Sequence, residues 1–155
     1  MDSFLDSHYK LAPAGATAAI ILIEGGRYLL QHRDSIPQIW FPDHWAMFGG
    51  ATDPGETDEQ GLWRELMEEI SLDIPESQYR YFTRFDFDFG FAGRGKIRRI
   101  FFEIGPLPVS VLDRIVLNEG QDVKAFTFRE AMAVRMTPYD SFALWLHANQ
   151  KRMTA

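Results

Sequence analysis

Three glutamates, Glu65, Glu68 and Glu69, stand within about one helical turn of Arg64, and a glycine pair, Gly49 and Gly50, and a further acid, Glu56, precede them. Residues three and four apart share a helix face, where like charges repel by about 0.2–0.5 kcal/mol per pair. Such crowding makes sense when a cation belongs between the carboxylates. Donor sets made only of oxygen suit magnesium, with manganese as the other option, and these ions are commonly shared between protein acids and substrate phosphates. An ion in that position neutralises the acids, polarises a phosphoryl oxygen and lowers the pKa of a bound water. Without the glycines, Glu56 and Arg64 at their fixed offsets, a solvated helix face would be the simpler reading.

The elements that must carry these residues follow from local patterns. Thr57 and Gln60 form a capping box, so a helix is expected to start at about Asp58. Leu62, Leu66 and Ile70 recur every four residues, with Trp63 and Met67 beside them, and predict a core-facing stripe that leaves the carboxylates outside the core. Strands are expected at Ala16 to Ile23 and Arg27 to His32, joined by a Gly25-Gly26 turn, with a short one near Trp45 to Phe48 after a polar loop. Period-two alternation after Pro75 places Tyr79, Tyr81, Phe85, Phe87 and Phe89 on one side of a strand, and "KIRRIFFEI" is its partner. "VKAFTF" reads as a later strand, and "PYDSFALWLHANQKR" as an amphipathic C-terminal helix with Pro138 in its first turn. Strands interspersed with helices argue for a sheet covered by helices.

The chain of 155 residues is 46% hydrophobic and 25% charged, which fits a single domain over 1-155 with a substantial core. A net charge of -6 opposes non-specific attachment to duplex nucleic acid or an anionic membrane. The absence of cysteine removes disulfides, thiolate zinc sites and cysteine nucleophiles, and leaves both redox environments open. The apolar run "LAPAGATAAIILI" has the length of a signal-peptide core, but it leads directly into the Gly25-Gly26 hairpin and reads as a core strand. No run approaches the roughly 20 residues needed to cross a bilayer. The expected location is cytoplasmic, without a membrane partner, and a homodimer is compatible with the sequence.

Gly50, Glu56, Arg64-Glu65-Leu66, Glu68-Glu69, Ser71 and Leu72 together resemble the Nudix box in residue type and spacing. Three positions depart from the usual pattern: Ser71 stands for glycine, Asp53 for a frequent glutamate and Phe48 for a common proline. The resemblance implies the Nudix fold, a mixed β-sheet sandwiched between α-helices (α/β/α), and hydrolysis of a nucleoside diphosphate linked to another group. Nucleoside triphosphates, oxidised ones included, are the first candidate substrates, cut to monophosphate and pyrophosphate as in the mutator-type branch. Nucleoside diphosphate sugars come second. A nucleotide-sensing domain without catalysis is the non-enzymatic alternative, and an RNA-end processing enzyme a third class. By the same resemblance Glu65, Glu68 and Glu69 hold magnesium, Gly49 adds its backbone carbonyl, and Glu56 pairs with Arg64 to orient the helix.

Glu119, in the loop tripeptide "EGQ", is similar in position to an acid that such enzymes supply as metal ligand or general base. Arg33 and Asp140 resemble by position residues that read a purine; a surface arginine and a helix N-terminal aspartate explain them equally well. Arg94, Lys96, Arg98 and Arg99 read as solubilising charges at a hairpin end, with a phosphate clamp as the sharper alternative. Trp40, Phe41 and Trp45 suit either packing or stacking on a base. His8, His32, His44 and His147 show no ligand spacing.

Overall fold

The computed structural model describes residues 16–154. His8 and residues 11–15 of the apolar run lie outside that range. Strand β1 (Ala16–Ile23) turns at Gly25 and Gly26, both at positive φ, into the antiparallel β2 (Arg27–His32). Such φ values cost glycine little, and the turn closes the hairpin that the sequence predicts. The two strands pair only beside the turn, at Leu22 with Tyr28 and Ile23 with Arg27. Beyond it they part, and residues 45–50 fill the gap. Strand β3 (Trp45–Ala46) pairs with Gln31 and His32 of β2, while Ala19 and Thr17 of β1 donate to the carbonyls of Phe48 (2.8 Å) and Gly50 (2.9 Å).

The rest of the sheet grows from both sides of this wedge. The opposite edge of β2 pairs with β6 (Asp122–Thr127), and β1 pairs in parallel with β5 (Lys96–Leu107), which in turn takes β4 (Tyr79–Asp88) antiparallel. Helix α1 (Asp58–Ile70) covers one face, where Leu62, Leu66 and Ile70 join Ile21, Ile23 and Ile104 in one core. Helices α2 (Phe128–Ala133) and α3 (Pro138–Ala148) cover the other, where Ala131, Ala143 and Leu144 meet Ile20, Leu30 and Phe101. Burial on both faces explains why β1 reads as an unbroken apolar run. The architecture is the expected α/β/α sandwich.

Four local expectations are corrected. A bulge between Tyr81 and Thr83 shifts the β4 register, so Tyr79 and Tyr81 oppose Ile104 and Phe102, whereas Phe85 and Phe87 oppose Arg99 and Ile97 on the other face. One extra residue in a strand reverses every later side chain. Trp63 is exposed and donates its indole N–H to Asp73 (2.9 Å), so it does not belong to the core stripe. The C-terminal helix stops at Ala148, with a short α4 (Gln150–Thr154) after Asn149. Phe128 opens α2 instead of extending β6, because Thr127 and Glu130 form a second capping box.

Helix α1 begins at Asp58 with the Thr57–Gln60 capping box in place and ends on Ser71 at φ 53. The Ser71 N–H donates to the Met67 carbonyl (3.1 Å), and its Oγ accepts from the Asn118 side chain (2.8 Å). A left-handed backbone costs a non-glycine residue about 1 kcal/mol, and the exposed hydrogen bond returns about 0.5 kcal/mol. Ser71→Gly is therefore expected to raise stability by about 0.5 kcal/mol in urea denaturation. A lower midpoint would show that the Asn118 contact outweighs the backbone strain.

Candidate functional site

The wedge of residues 45–50 lays the glycine pair against α1. Gly49 sits at φ +140, and a Cβ there would lie 2.1 Å from the Thr17 carbonyl oxygen, so only glycine fits. Its N–H donates to Glu69 Oε1 (3.3 Å). At Gly50 a Cβ would lie 2.7 Å from the Glu65 carboxyl carbon. The missing side chains let backbone and carboxylates meet directly.

Arg64 fixes the loop between the glycines and the helix. Its guanidinium donates through Nε and Nη2 to Glu56, through Nη2 to the Ala51 carbonyl (3.0 Å), and through Nη1 to Glu65 (3.0 Å) and Glu68 (3.4 Å). Asp53 lies 3.3 Å from the same Nε. Glu56 also accepts from the Asp53 N–H (2.7 Å), and the Arg64 hydrogen bonds, followed by that one, hold its carboxyl below the usual range. This pairing is the one that the family resemblance implies.

Glu69 departs from expectation. It is 4% exposed, against a reading that kept all three acids outside the core. The stripe of Leu62, Leu66 and Ile70 is wide enough to draw in its neighbour at the end of the helix, beneath the loop that carries Glu119. Burial pushes the Glu69 carboxyl well above its ordinary value, and Glu119 and then Glu65 add to the effect. Glu65, half-buried, is also raised, first by burial, although Arg64 opposes the shift. Glu68 is exposed.

The loop after residue 115 brings Glu119 to the helix. Val116 N–H donates to the Ile70 carbonyl (3.0 Å) and Asn118 N–H to that of Glu69 (2.8 Å), so this loop satisfies carbonyls at the helix C-terminus. On the other side Gln31 Nε2 donates to the Glu119 carbonyl (3.0 Å). Arg33, Gln31 and Glu119 line a cleft of about 100 Å³ with Ile36 and Ile39.

Asp140 lies apart from that cleft lining and is 0% exposed. Its carboxylate accepts from Arg99 Nε (2.7 Å) and Nη2 (3.2 Å) and from the Met47 N–H (2.9 Å), which ties α3 to β5 and to the wedge. Burial works against the charge on Arg99, yet Asp140 offsets this and the guanidinium remains raised. Arg99 is therefore not one of the solubilising hairpin-end charges that the sequence suggests: alternation with Ile97 and Phe101 turns it inward. Arg98 pairs with Asp86 (2.8 Å), and Arg94 lies over the rings of Trp40 (5.4 Å) and Phe41 (5.2 Å). Those rings pack with Phe89 and Tyr139. His147 is buried between the Tyr28 hydroxyl (2.9 Å) and Glu103, a second polar tie between α3 and the sheet that spacing alone did not reveal.

The donors are all oxygens, and the buried Glu69 carboxyl feels both Glu119 and Glu65, a set whose chemistry fits a hard divalent cation. Among the described residues no three acidic or histidine side chains already form a ligand cluster.

An α/β/α sandwich with paired carboxylates against a glycine-lined wedge defines a class of domain with an anionic, oxygen-rich site. The NUDIX domain model matches residues 13–153, and the chain belongs to the Nudix family. A nucleoside triphosphatase, NudI, of Enterobacter sp. (strain 638) is 44% identical over 50 residues, which is 32% of this chain and 35% of that protein. The match thus spans about a third of that relative. Among solved structures, the MutT protein from Methanosarcina mazei Go1 superposes with a TM-score of 0.70 at 19% identity, covering 88% of this chain and 93% of that one. The E. coli ORF135 protein gives 0.67 at 24% identity, over 87% and 89%. Members of this family generally need divalent metal ions.

The raised Glu69 carboxyl fixes the sign of a pH effect. Its folded-state pKa lies above the unfolded one, so the folded chain binds more protons, and stability falls as pH rises from the ordinary carboxylate range through the raised value. In chelator, Glu69→Gln is expected to be more stable than wild type at pH 8 by on the order of 1 kcal/mol, with the gain shrinking towards pH 4.5. Parallel pH profiles for the two proteins in denaturation experiments would contradict a buried charge at Glu69.

Proposed function

We propose that this chain is a Nudix pyrophosphohydrolase that cleaves nucleoside triphosphates, oxidised ones included, to monophosphate and pyrophosphate. The observation that carries the proposal is the buried Glu69 carboxylate, facing Glu65 and Glu119 beside the Gly49 backbone. A buried carboxyl beside further acids costs stability and persists where it has work to do. The relative from Enterobacter, named a nucleoside triphosphatase, supports the substrate class.

In this reading Glu65, Glu68, Glu69 and Glu119, with the Gly49 carbonyl, hold magnesium, and manganese is the alternative. When bound, the ion neutralises phosphate charge and makes a water more acidic. Arg64 and Glu56 keep the helix carboxylates in place. One carboxylate, Glu119 or Glu65, accepts the proton of the attacking water. The water oxygen forms a new bond to phosphorus as a bridging P–O bond breaks, and the electron pair leaves on the departing phosphate oxygen. Arg33 borders the cleft beside Glu119 and serves as a substrate contact, whereas Asp140, enclosed by Arg99 and Met47, supports the wall.

The test is release of pyrophosphate and monophosphate from a panel of nucleoside triphosphates with magnesium. Turnover is expected with magnesium and none with excess chelator; full turnover in chelator would refute the assignment. Glu119→Gln is expected to lower kcat on the order of 10²-fold with a much smaller change in KM. A Glu119 variant as active as wild type would move the proton acceptor to Glu65.

A further inference from the structure

We propose that Gln121 is a positioning residue that locks the Glu119 loop to the loop of residues 33–44, so that the Glu119 carboxylate and the facing wall of the cleft are held as one unit. The inference rests on the functional reading above and adds a residue that it does not assign.

The Gln121 N–H donates to the His32 carbonyl (2.7 Å), and its side-chain Nε2 donates both to the Arg33 carbonyl (2.7 Å) and to Asp43 Oδ1 (3.1 Å). One amide thereby joins both ends of the 33–44 loop to the Glu119 loop. The Gln121 amide is also the largest influence lowering the Asp43 carboxyl, ahead of the nearby His32, whose Nε2 lies 2.9 Å from Asp43 Oδ1. That loop has no strand or helix of its own between β2 and β3. It is shaped instead by polar contacts: Arg33 N–H to the His44 carbonyl (2.8 Å), Asp43 N–H to the Asp34 carbonyl (3.1 Å), and Arg33 Nε to the Trp40 carbonyl (3.0 Å). Phe41 and Asp43 both sit at positive φ (49 and 60), a conformation that needs such support.

The Glu119 loop is equally dependent. Gly120 sits at φ +90, with a Cβ position only 2.8 Å from the His32 carbonyl oxygen, so the loop lies flush on the end of β2. Glu119 itself is held through its carbonyl, by Gln31. Nothing within the tripeptide fixes the Glu119 carboxylate; its place follows from the anchors on either side. Loss of the Gln121 side-chain donor leaves the Arg33 carbonyl and Asp43 without their bridge. The two lips of the cleft can then separate, and a displacement on the order of 1 Å at a reacting group is enough to cost much of its effect.

Two measurements on the full chain test this. Gln121→Met keeps the length of the side chain and cannot donate; Gln121→Glu, which turns an acceptor towards Asp43, serves as the second variant. In hydrogen exchange without metal, amides of 39–44 and of 118–121 are expected to lose protection together by about tenfold or more, while α1 is unchanged. In turnover of the best nucleoside triphosphate, either variant is expected to lower kcat by about tenfold or more in the wild-type background, and to have no further effect when combined with Glu119→Gln. Unchanged protection in both loops, or an equal loss of kcat in both backgrounds, would overturn the proposal. A wild-type protein that hydrolyses no member of the panel would instead overturn the functional reading, and the exchange data alone would then decide the coupling.

Discussion

The Arg64 guanidinium is the point on which the site depends. One planar group with five donors engages Glu56, Glu65, Glu68 and the Ala51 carbonyl, and so binds a loop with little regular structure to the middle of a helix. A lysine could not do this, because a single ammonium lacks the fork that meets two carboxylate oxygens at once. The arrangement also moderates repulsion among the acids. Arg64 faces the outer side of the cluster, at Glu65 and Glu68, and leaves the inner carboxylate, Glu69, with the Gly49 N–H as its backbone donor. Negative charge is compensated where the loop must be held and left uncompensated at Glu69, the position proposed above for a cation.

The uncompensated charge is tolerable because its surroundings are rigid. Glu69 lies at the end of a helix whose stripe of Leu62, Leu66 and Ile70 is fully buried, under a loop that caps the same helix through Val116 and Asn118. Neither neighbour can give way without exposing apolar surface or leaving helix carbonyls unpaired. On the far face of the sheet, two buried polar ties play a similar part for α3. Asp140 joins it to Arg99 and to Met47 of the wedge, and His147 joins it to Tyr28 and Glu103. The wedge is thus held from both sides, by β1 through Thr17 and Ala19 and by α3 through Asp140.

What the sequence made legible was whatever is written within a short stretch of chain. The capping box at Thr57, the glycine turn and the Leu62, Leu66 and Ile70 stripe are local, and each appears in the structure where the spacing put it. The resemblance to a family supplied the sandwich. Three things resisted. The β4 bulge is invisible to periodicity, because alternation resumes in the opposite phase after a single extra residue, and Phe85 and Phe87 still look like partners of Tyr79. The burial of Glu69 depends on a loop far along the chain, and a helix wheel alone cannot place it. The Arg99–Asp140 pair joins residues 41 apart, and nothing near either one announces the other. Long-range polar pairing is fixed only when the tertiary structure closes.

The two glycines of the pair answer to different masters. Gly49 is required by the Thr17 carbonyl of β1, a matter of how the wedge threads between two strands, whereas Gly50 lies against the movable end of the Glu65 side chain, which a larger residue would push aside. A descendant of this chain that abandoned its chemistry and lost its glutamates would be released from the second constraint and still bound by the first. Gly49 is therefore a record of ancestry in the fold, and its survival in a degenerate sequence would say nothing about activity. A larger residue at Gly50 would displace the Glu65 carboxylate and leave the wedge in place, so this position reports on the placement of the acid and Gly49 on the fold.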